Sequence, residues 1–108
     1  MAGELTRDYR ESIREDLKSN PELRKEMLVG TLNCFLEGDA ELGRALFRNY
    51  IKSEYGYKNL AAEIGISEKS LNRMFGPKGN PTSSNLLKVV SALTEHEGIK
   101  LKVVAEKA

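Results

Sequence analysis

Cysteine, histidine and tryptophan are almost missing from this chain of 108 residues, which has one cysteine, one histidine and no tryptophan. Cys34 alone cannot form an internal disulfide, and by itself it cannot build a metal site. The spacing of the other residues gives no carboxylate pair, no metal-ligand cluster and no nucleophile beside a base. We therefore expect no enzyme, no metal and no cofactor.

Long hydrophobic runs are also missing. No apolar segment approaches the roughly 20 residues that cross a bilayer, and residues 1–8 lack the apolar core of a signal peptide. The chain is 40% hydrophobic and 31% charged, as in ordinary soluble globular proteins. We expect a single cytoplasmic domain over residues 1–108, because this length supports one core and is too short for two.

An excess of one charge is the third feature that the chain lacks, since 17 basic and 16 acidic residues leave a net charge of +1. Nucleic-acid binders are often much more basic. The distribution is more informative, because residues 57–108 contain 8 Lys or Arg and 5 Asp or Glu, whereas residues 1–56 contain 9 and 11. The basic excess therefore lies in the second half.

Helical periodicity runs through most of the chain, interrupted by glycine, proline and capping residues. The dense turn signal of residues 76–81 must break regular structure. We expect helices from Thr6 to Lys18, from Pro21 to Gly38, from Asp39 to Gly56, from Tyr57 to Gly65, from Ser67 to Phe75, and from Thr82 or Ser83 to Gly98.

The pattern changes after Gly98, and the remaining residues 98–108 are predicted to be a strand and tail. Ile99, Leu101 and Val103 alternate with Lys100, Lys102 and Val104, a period of two that is typical of a strand with one apolar side. An isolated strand is not stable, so we expect this one to pair with the same strand of a second chain.

The most informative segment joins two short helices through a glycine. Leu60, Ala61 and Ile64 give the first helix an apolar face, and Gly65 can turn the chain sharply. Ser67 is suited to cap the next helix. The apolar side of that helix leaves a polar set facing outward: Glu68, Lys69, Ser70, Asn72 and Arg73. Arg and Lys can donate to guanine, Asn can pair with adenine, and Glu can accept from cytosine.

Less specific readings exist for each of these features. Two short helices joined by a glycine occur in many all-α proteins, and a charged face is usually only solvated. We interpret Cys34 as a small, buried apolar residue and not as a reactive thiol. We expect His96 to be a surface histidine at a helix end, and Tyr50 to belong to the core. Gly76 to Gly79 lacks the pattern of a phosphate loop.

The C-terminal two-thirds resembles the HigA-like addiction-module antidote proteins of the Xre-type helix-turn-helix group. The specific part is the run from Leu71 to Thr82, which resembles the L-x-x-x-x-x-x-x-G-N-P-T segment of that family, followed by the apolar helix of residues 85–93 and by Gly98-Ile-Lys-Leu. The leucine-rich acidic residues 35–46 are similar too. The first twenty or so residues match least.

The resemblance implies an all-α, five-helix lambda-repressor-like helix-turn-helix domain with an extra N-terminal helix or two and a short C-terminal strand. Its parts would be residues 1–56, the motif at 57–75, the loop and helix at 76–97, and the tail. It also implies side chains toward the bases of the major groove, namely Ser67, Glu68, Lys69, Asn72 and Arg73. Contacts to phosphates are implied for Tyr57, Lys78 and Asn80.

The function implied is an autoregulatory DNA-binding repressor that is also the antitoxin of a toxin–antitoxin module. Its partners would be double-stranded DNA with an inverted-repeat operator, a second copy of the chain, and a RelE/ParE-like toxin. Two alternatives stay open on the sequence. One is a solo phage-like repressor, and the other is a toxin-binding interaction module with little DNA binding of its own.

Overall fold

The computed structural model describes residues 15–108, which are mostly helical. Residues 15–19 are the described part of the first helix, α1, and its expected start at Thr6 lies outside the described residues. The other helices are α2 (Pro21–Leu36), α3 (Ala40–Tyr50), α4 (Tyr57–Ile64), α5 (Glu68–Met74) and α6 (Ser83–Glu97). The prediction of an all-α chain is confirmed at this level.

Local capping explains where α2 and α3 begin. The side chain of Asn20 accepts a hydrogen bond from the Leu23 amide at 3.2 Å, and Pro21 follows in the first turn. Asp39 accepts from the Leu42 amide at 3.1 Å. These side chains satisfy amides that have no partner inside the helix, so both starts agree with the sequence prediction.

The end of α3 differs from the expected continuous α-helix. Residues Ile51–Tyr55 continue it as a π-helix, in which the Gly56 amide donates to the Ile51 carbonyl at 2.6 Å. Gly56 then leaves the helix with φ of +84°, a conformation that glycine adopts without a Cβ clash. The sequence predicted the end at Gly56 but not the wider winding before it.

The core is built from residues of every helix from α2 to α6. Phe47 is fully buried, with its ring centroid 5.7 Å from that of Phe35 and 5.6 Å from that of Phe75. Gly43 permits the close approach of α2 and α3, because a Cβ there would lie 2.7 Å from the ring of Phe35. The buried Leu71 and Phe75 attach α5 to this core.

The tail bears on the predicted C-terminal strand and its pairing with a second chain. Residues 99–108 have no regular secondary structure, and the part of the chain that the structure describes contains no strand. The expected C-terminal strand is therefore not formed within one chain. A strand needs hydrogen-bond partners along its main chain, and no neighbouring described segment offers them.

Within residues 15–108, none of the helices has the length and apolar character needed to cross a membrane.

Candidate nucleic-acid interface

The corner between α4 and α5 is built on Gly65. This residue has φ of +71° and ψ of +28°, the left-handed conformation, and its amide donates to the Ala61 carbonyl at 2.9 Å. The helix therefore ends at Ile64 and does not continue across residue 65. Ile66, in the corner itself, is partly buried and packs against the core. α4 and α5 pack against each other around this turn.

Ser67 caps the start of α5 as predicted. Its hydroxyl oxygen accepts from the Ser70 amide at 3.1 Å and donates to the Ser70 hydroxyl at 2.8 Å. Glu68 lies in the first turn, where a negative side chain is favourable next to the unpaired amides of the helix. Because the Ser67 hydroxyl is engaged in capping, it is less free to contact a base than the other predicted residues.

The two sides of α5 have opposite character. Leu71 is fully buried and Met74 is partly buried against the core. The side facing solvent carries the five side chains predicted to contact bases, all of them exposed: Ser67, Glu68, Lys69, Asn72 and Arg73. This face is therefore available to a ligand.

The loop after α5 folds back beside the exposed face. The Gly76 amide donates to the Arg73 carbonyl at 3.2 Å, and the Gly79 amide donates to the Gly76 carbonyl at 3.0 Å. Gly79 is buried, and a Cβ there would overlap the carbonyl oxygen of Met74. Only glycine fits this position without a shift of the loop.

This close approach creates a surface concavity of about 360 Å³ at the end of α5. Its lining includes Arg73, predicted to contact a base, together with Lys78 and Asn80, predicted to contact phosphates. Lys78 and Asn80 are exposed, so the guanidinium, the ammonium and the amide are open to solvent around one depression. Such a combination suits a phosphate oxygen next to a base edge.

Arg48 of α3 holds the end of α5 in place. Its Nη1 atom donates to the Phe75 carbonyl oxygen at 2.8 Å, and the side chain is half-buried. The carbonyls at the end of a helix lack partners within it, so a guanidinium there is favourable by both hydrogen bonding and charge. Arg48 thus positions the exposed face of α5 relative to the core.

Tyr57 departs from its prediction as a phosphate contact. The side chain is only 7% exposed and belongs to the core, and its buried hydroxyl has no hydrogen-bond partner among the described residues. Burial raises the pKa of Tyr57 to about 12, although the positive charge of Arg48 acts in the opposite direction. The Tyr57 hydroxyl therefore cannot reach a phosphate in this structure.

Two residues that shape the interface were missed in the sequence: Gly79 lets the loop approach, and Arg48 anchors the helix end. Ser70, predicted to face outward but not assigned a contact, lines the concavity. The spacing of Ser70 and Arg73, three residues apart on one helix, carries a usable signal, since such residues share a face. No local pattern marks Arg48, because its partner is 27 residues away.

Other candidate residues lie outside this concavity, and His96 lines a second one of about 430 Å³ with Tyr55, Asn59 and Glu63. Cys34 is half-buried, and the exposed His96 lies edge-on to Tyr55 with ring centroids 4.5 Å apart. Among the described residues, no group of His, Cys, Asp and Glu is arranged to hold a metal ion. In comparisons with known proteins, no family model, curated protein or solved structure matches the chain.

Proposed function

We propose that the chain is a sequence-specific DNA-binding transcriptional regulator in which α4 and α5 form a helix-turn-helix. One observation carries this proposal: the exposed polar face of α5 continues into a concavity where Arg73, Lys78 and Asn80 meet. In a helix-turn-helix, the second helix enters the major groove while neighbouring segments contact the backbone. The polarity of α5 and of the loop fits this division of roles.

The charges on the interface support a duplex as ligand. Lys69, Arg73 and Lys78 are exposed, and the acidic Glu68 lies at the front of the helix. Phosphate contacts provide much of the affinity, whereas groups such as Arg and Asn distinguish base edges. We assign base contacts to Lys69, Asn72 and Arg73, and phosphate contacts to Lys78 and Asn80. Glu68 either accepts from a cytosine or weakens binding through repulsion.

The regulator acts as a homodimer on an inverted repeat. A single α5 reads only a few base pairs, and two copies related by a two-fold axis would place their reading helices about 34 Å apart, one turn of B-DNA. The antitoxin role is supported only by the resemblance to the addiction-module antidote proteins, which is most specific in residues 71–82. Co-expression with the product of an adjacent gene tests that role. Growth rescue and co-purification are expected for an antitoxin, whereas a solo repressor gives neither.

Selection of bound duplexes from a random library, followed by fluorescence anisotropy over a range of salt concentrations, tests DNA binding. The Arg73→Ala variant should lose roughly 1–3 kcal/mol on the selected site and relax the preference at one base pair. Lys78→Ala should weaken binding to all sequences alike and reduce the salt slope by about 1, because one phosphate contact is lost.

Lys25→Ala is the matched control, since it removes one exposed positive charge far from the interface. Its neighbour Arg24 contacts Glu97 at the C-terminal end of α6, whereas the loop with Lys78 leads into the N-terminal end. A helix of this length separates its two ends by about 20 Å. Equal losses in Arg73→Ala and Lys25→Ala, or a selection without any enriched sequence, would refute the proposed interface.

A further inference from the structure

Exposed apolar side chains gather in a single groove on a different surface from the α5 face. The groove has a volume of about 460 Å³ and lies between α2, α6 and residues 101–104. It contains five of the six large hydrophobic side chains that are exposed in the described part of the chain: Val29, Leu36, Leu87, Val103 and Val104. A concentration of this kind marks a surface that binds another protein.

The tail along this groove has unused hydrogen-bonding capacity. In residues 15–108, no main-chain hydrogen bond joins residues 100–108 to the main chain of another residue; the last such bond is from the Ile99 amide to the Thr94 carbonyl, at 3.0 Å. Leu101, Val103 and Ala105 nevertheless alternate with Lys100, Lys102, Val104 and Glu106, so that one side of an extended tail would be entirely apolar. The tail thus has a strand sequence but no strand partner among residues 15–108.

We propose that a second copy of this chain supplies the partner strand, and that the two tails pair antiparallel about a two-fold axis at Val103. The apolar faces of the paired tails then cover the grooves of both protomers. This inference rests on the proposed function at one point only: binding to an inverted repeat requires a dimer, and the paired tails would form it. It goes further by naming the surface, the register and the residues opposite one another.

Self-complementarity of the tail supports a like chain as occupant. With Val103 on the axis, Lys100 of one protomer lies opposite Glu106 of its partner, and the reverse pair forms by symmetry. On the apolar face, Leu101 lies opposite Ala105, and Val103 lies opposite its own copy. Opposite charges directly across a strand pair are stabilising, as are apolar pairs on a buried face.

The neighbouring registers that keep the apolar residues on one face are less favourable. An axis at Lys102 places this residue against its own copy, and an axis at Leu101 places Lys100 against Lys102. Like charges directly opposite each other destabilise a strand pair. An axis at Val104 puts the charged Lys107 opposite Leu101 on the apolar face. The register at Val103 sets no like charges opposite each other, and it moves Lys107 to the end of the pair, opposite Ile99.

Neighbouring valines offer a matched test of the axis. Val103 and Val104 are 80% and 76% exposed, so a charge at either position leaves the folding of the protomer intact. Val103→Asp places two aspartates opposite each other at the axis and should abolish the dimer. Val104→Asp places an aspartate opposite Lys102 and should retain it. Sedimentation velocity over a range of protein concentrations, without DNA, measures both.

A charge exchange tests the register. Lys100→Glu and Glu106→Lys should each raise the dimer dissociation constant about tenfold, because two attractive pairs become repulsive. The double variant should restore the dissociation constant of the unmodified chain. Rescue of Lys102→Glu by Glu106→Lys, in place of this pair, would overturn the axis at Val103.

Failure of this inference is distinct from failure of DNA binding. Two results would overturn the proposed pairing, whatever the DNA measurements give. One is a chain that stays monomeric at 100 times the protein concentration used to measure DNA binding. The other is an equal loss of the dimer in Val103→Asp and Val104→Asp. A dimer with the expected variant behaviour and no sequence-specific duplex binding supports the pairing and overturns only the proposed function.

Discussion

Gly79 is the residue on which the shape of the candidate interface most depends. Its amide closes the turn with Gly76, and its α-carbon lies so close to α5 that a side chain would meet the Met74 carbonyl oxygen. The approach of Lys78 and Asn80 to Arg73 follows from this contact. Backbone crowding at one glycine therefore determines which charged groups share the concavity.

Gly79→Ala should destabilise the protein by roughly 1–3 kcal/mol, since the loop must move to accommodate the methyl group. Urea unfolding measures this loss, and the displaced loop should also weaken duplex binding. Gly30→Ala is the control, because Gly30 is exposed within α2 and its added Cβ would have no neighbour within 4 Å. This change should stabilise the protein by about 0.5–1 kcal/mol. A stable Gly79→Ala variant would contradict the crowding argument.

Tyr57 illustrates how a polar residue at a helix start can belong to the core. Its position at the beginning of α4 made it a candidate phosphate contact, whereas its ring packs inside the protein. The buried hydroxyl has no partner in the described part of the chain, which is unfavourable relative to an apolar ring of the same shape.

Tyr57→Phe should raise the stability at neutral pH by about 1 kcal/mol and leave duplex affinity unchanged. The folded-state pKa of about 12 exceeds the ordinary 10.0, so the neutral hydroxyl favours folding fully below pH 10, and this contribution disappears as the pH rises through 12. The variant should therefore resist alkaline unfolding better in that interval. Circular dichroism during a pH titration measures the shift. A loss of duplex affinity in Tyr57→Phe would instead support the prediction that Tyr57 contacts a phosphate.

The α4–α5 pair depends on one left-handed residue. Gly65 makes the turn, and Ser67 begins the next helix two residues later. Both signals are local, and both were read correctly from the sequence. The helix ends at Gly56 and Gly98 were read in the same way.

Gly65→Ala should cost roughly 1–2 kcal/mol of stability, because an L-residue with a Cβ is disfavoured at positive φ. Gly65→Asn should lose less, since asparagine adopts this conformation more readily. Apart from the two adjacent residues, no described residue has an atom within 4 Å of the added Cβ, so the two variants differ in backbone preference and not in crowding. Thermal unfolding compares them, and equal losses would argue against strain at this turn.

The tail and the π-helix mark the limits of reading elements from sequence. The alternation in residues 99–104 predicted a strand, but strand formation depends on a partner, and one chain supplies none among its described residues. The π-helix Ile51–Tyr55 has residue types that also occur in α-helices. Its main-chain hydrogen bonds join residues five positions apart, whereas those of an α-helix join residues four positions apart. Neither outcome is encoded in a local cap or turn residue.

A buried ionic cluster connects distant parts of the molecule. Glu97 at the end of α6 accepts hydrogen bonds from Arg24 of α2, at 2.7 Å, and from the hydroxyl of Tyr50 in α3. The guanidinium of Arg24 also donates to the carbonyls of Leu17 and Lys18, each at 3.0 Å. The side chains of Arg24 and Glu97 are 11% and 8% exposed, so the cluster is largely shielded from water.

Glu97→Gln should lower the stability by roughly 3 kcal/mol, because it removes the negative charge from a largely buried ion pair with Arg24. Burial raises the pKa of Glu97, but the hydrogen bonds from Arg24 and Tyr50 outweigh it and hold the pKa below its ordinary 4.5. The carboxylate therefore stabilises the fold above pH 4.5, and this contribution is lost as the pH falls through the lower folded-state value.

Acid unfolding followed by circular dichroism measures this contribution. The Glu97→Gln variant should lose less stability below pH 4.5 than the unmodified chain. Glu95→Gln, a change at an exposed neighbour, should retain the acid sensitivity. A Glu97→Gln variant with unchanged neutral stability would mean that the cluster does not connect the helices energetically.

Helix positions, caps and the glycine corner follow from the sequence because each depends on residues within a few positions of one another. The exposure of Lys69, Asn72 and Arg73 was predictable for the same reason, since helical spacing separates them from Leu71. Contacts between distant residues came only from the three-dimensional arrangement: the burial of Tyr57, the anchoring of α5 by Arg48, and the Arg24–Glu97 pair. Whether a side chain faces solvent or core, and whether a tail finds a partner, depends on which surfaces packing brings together, and local pattern does not contain that information.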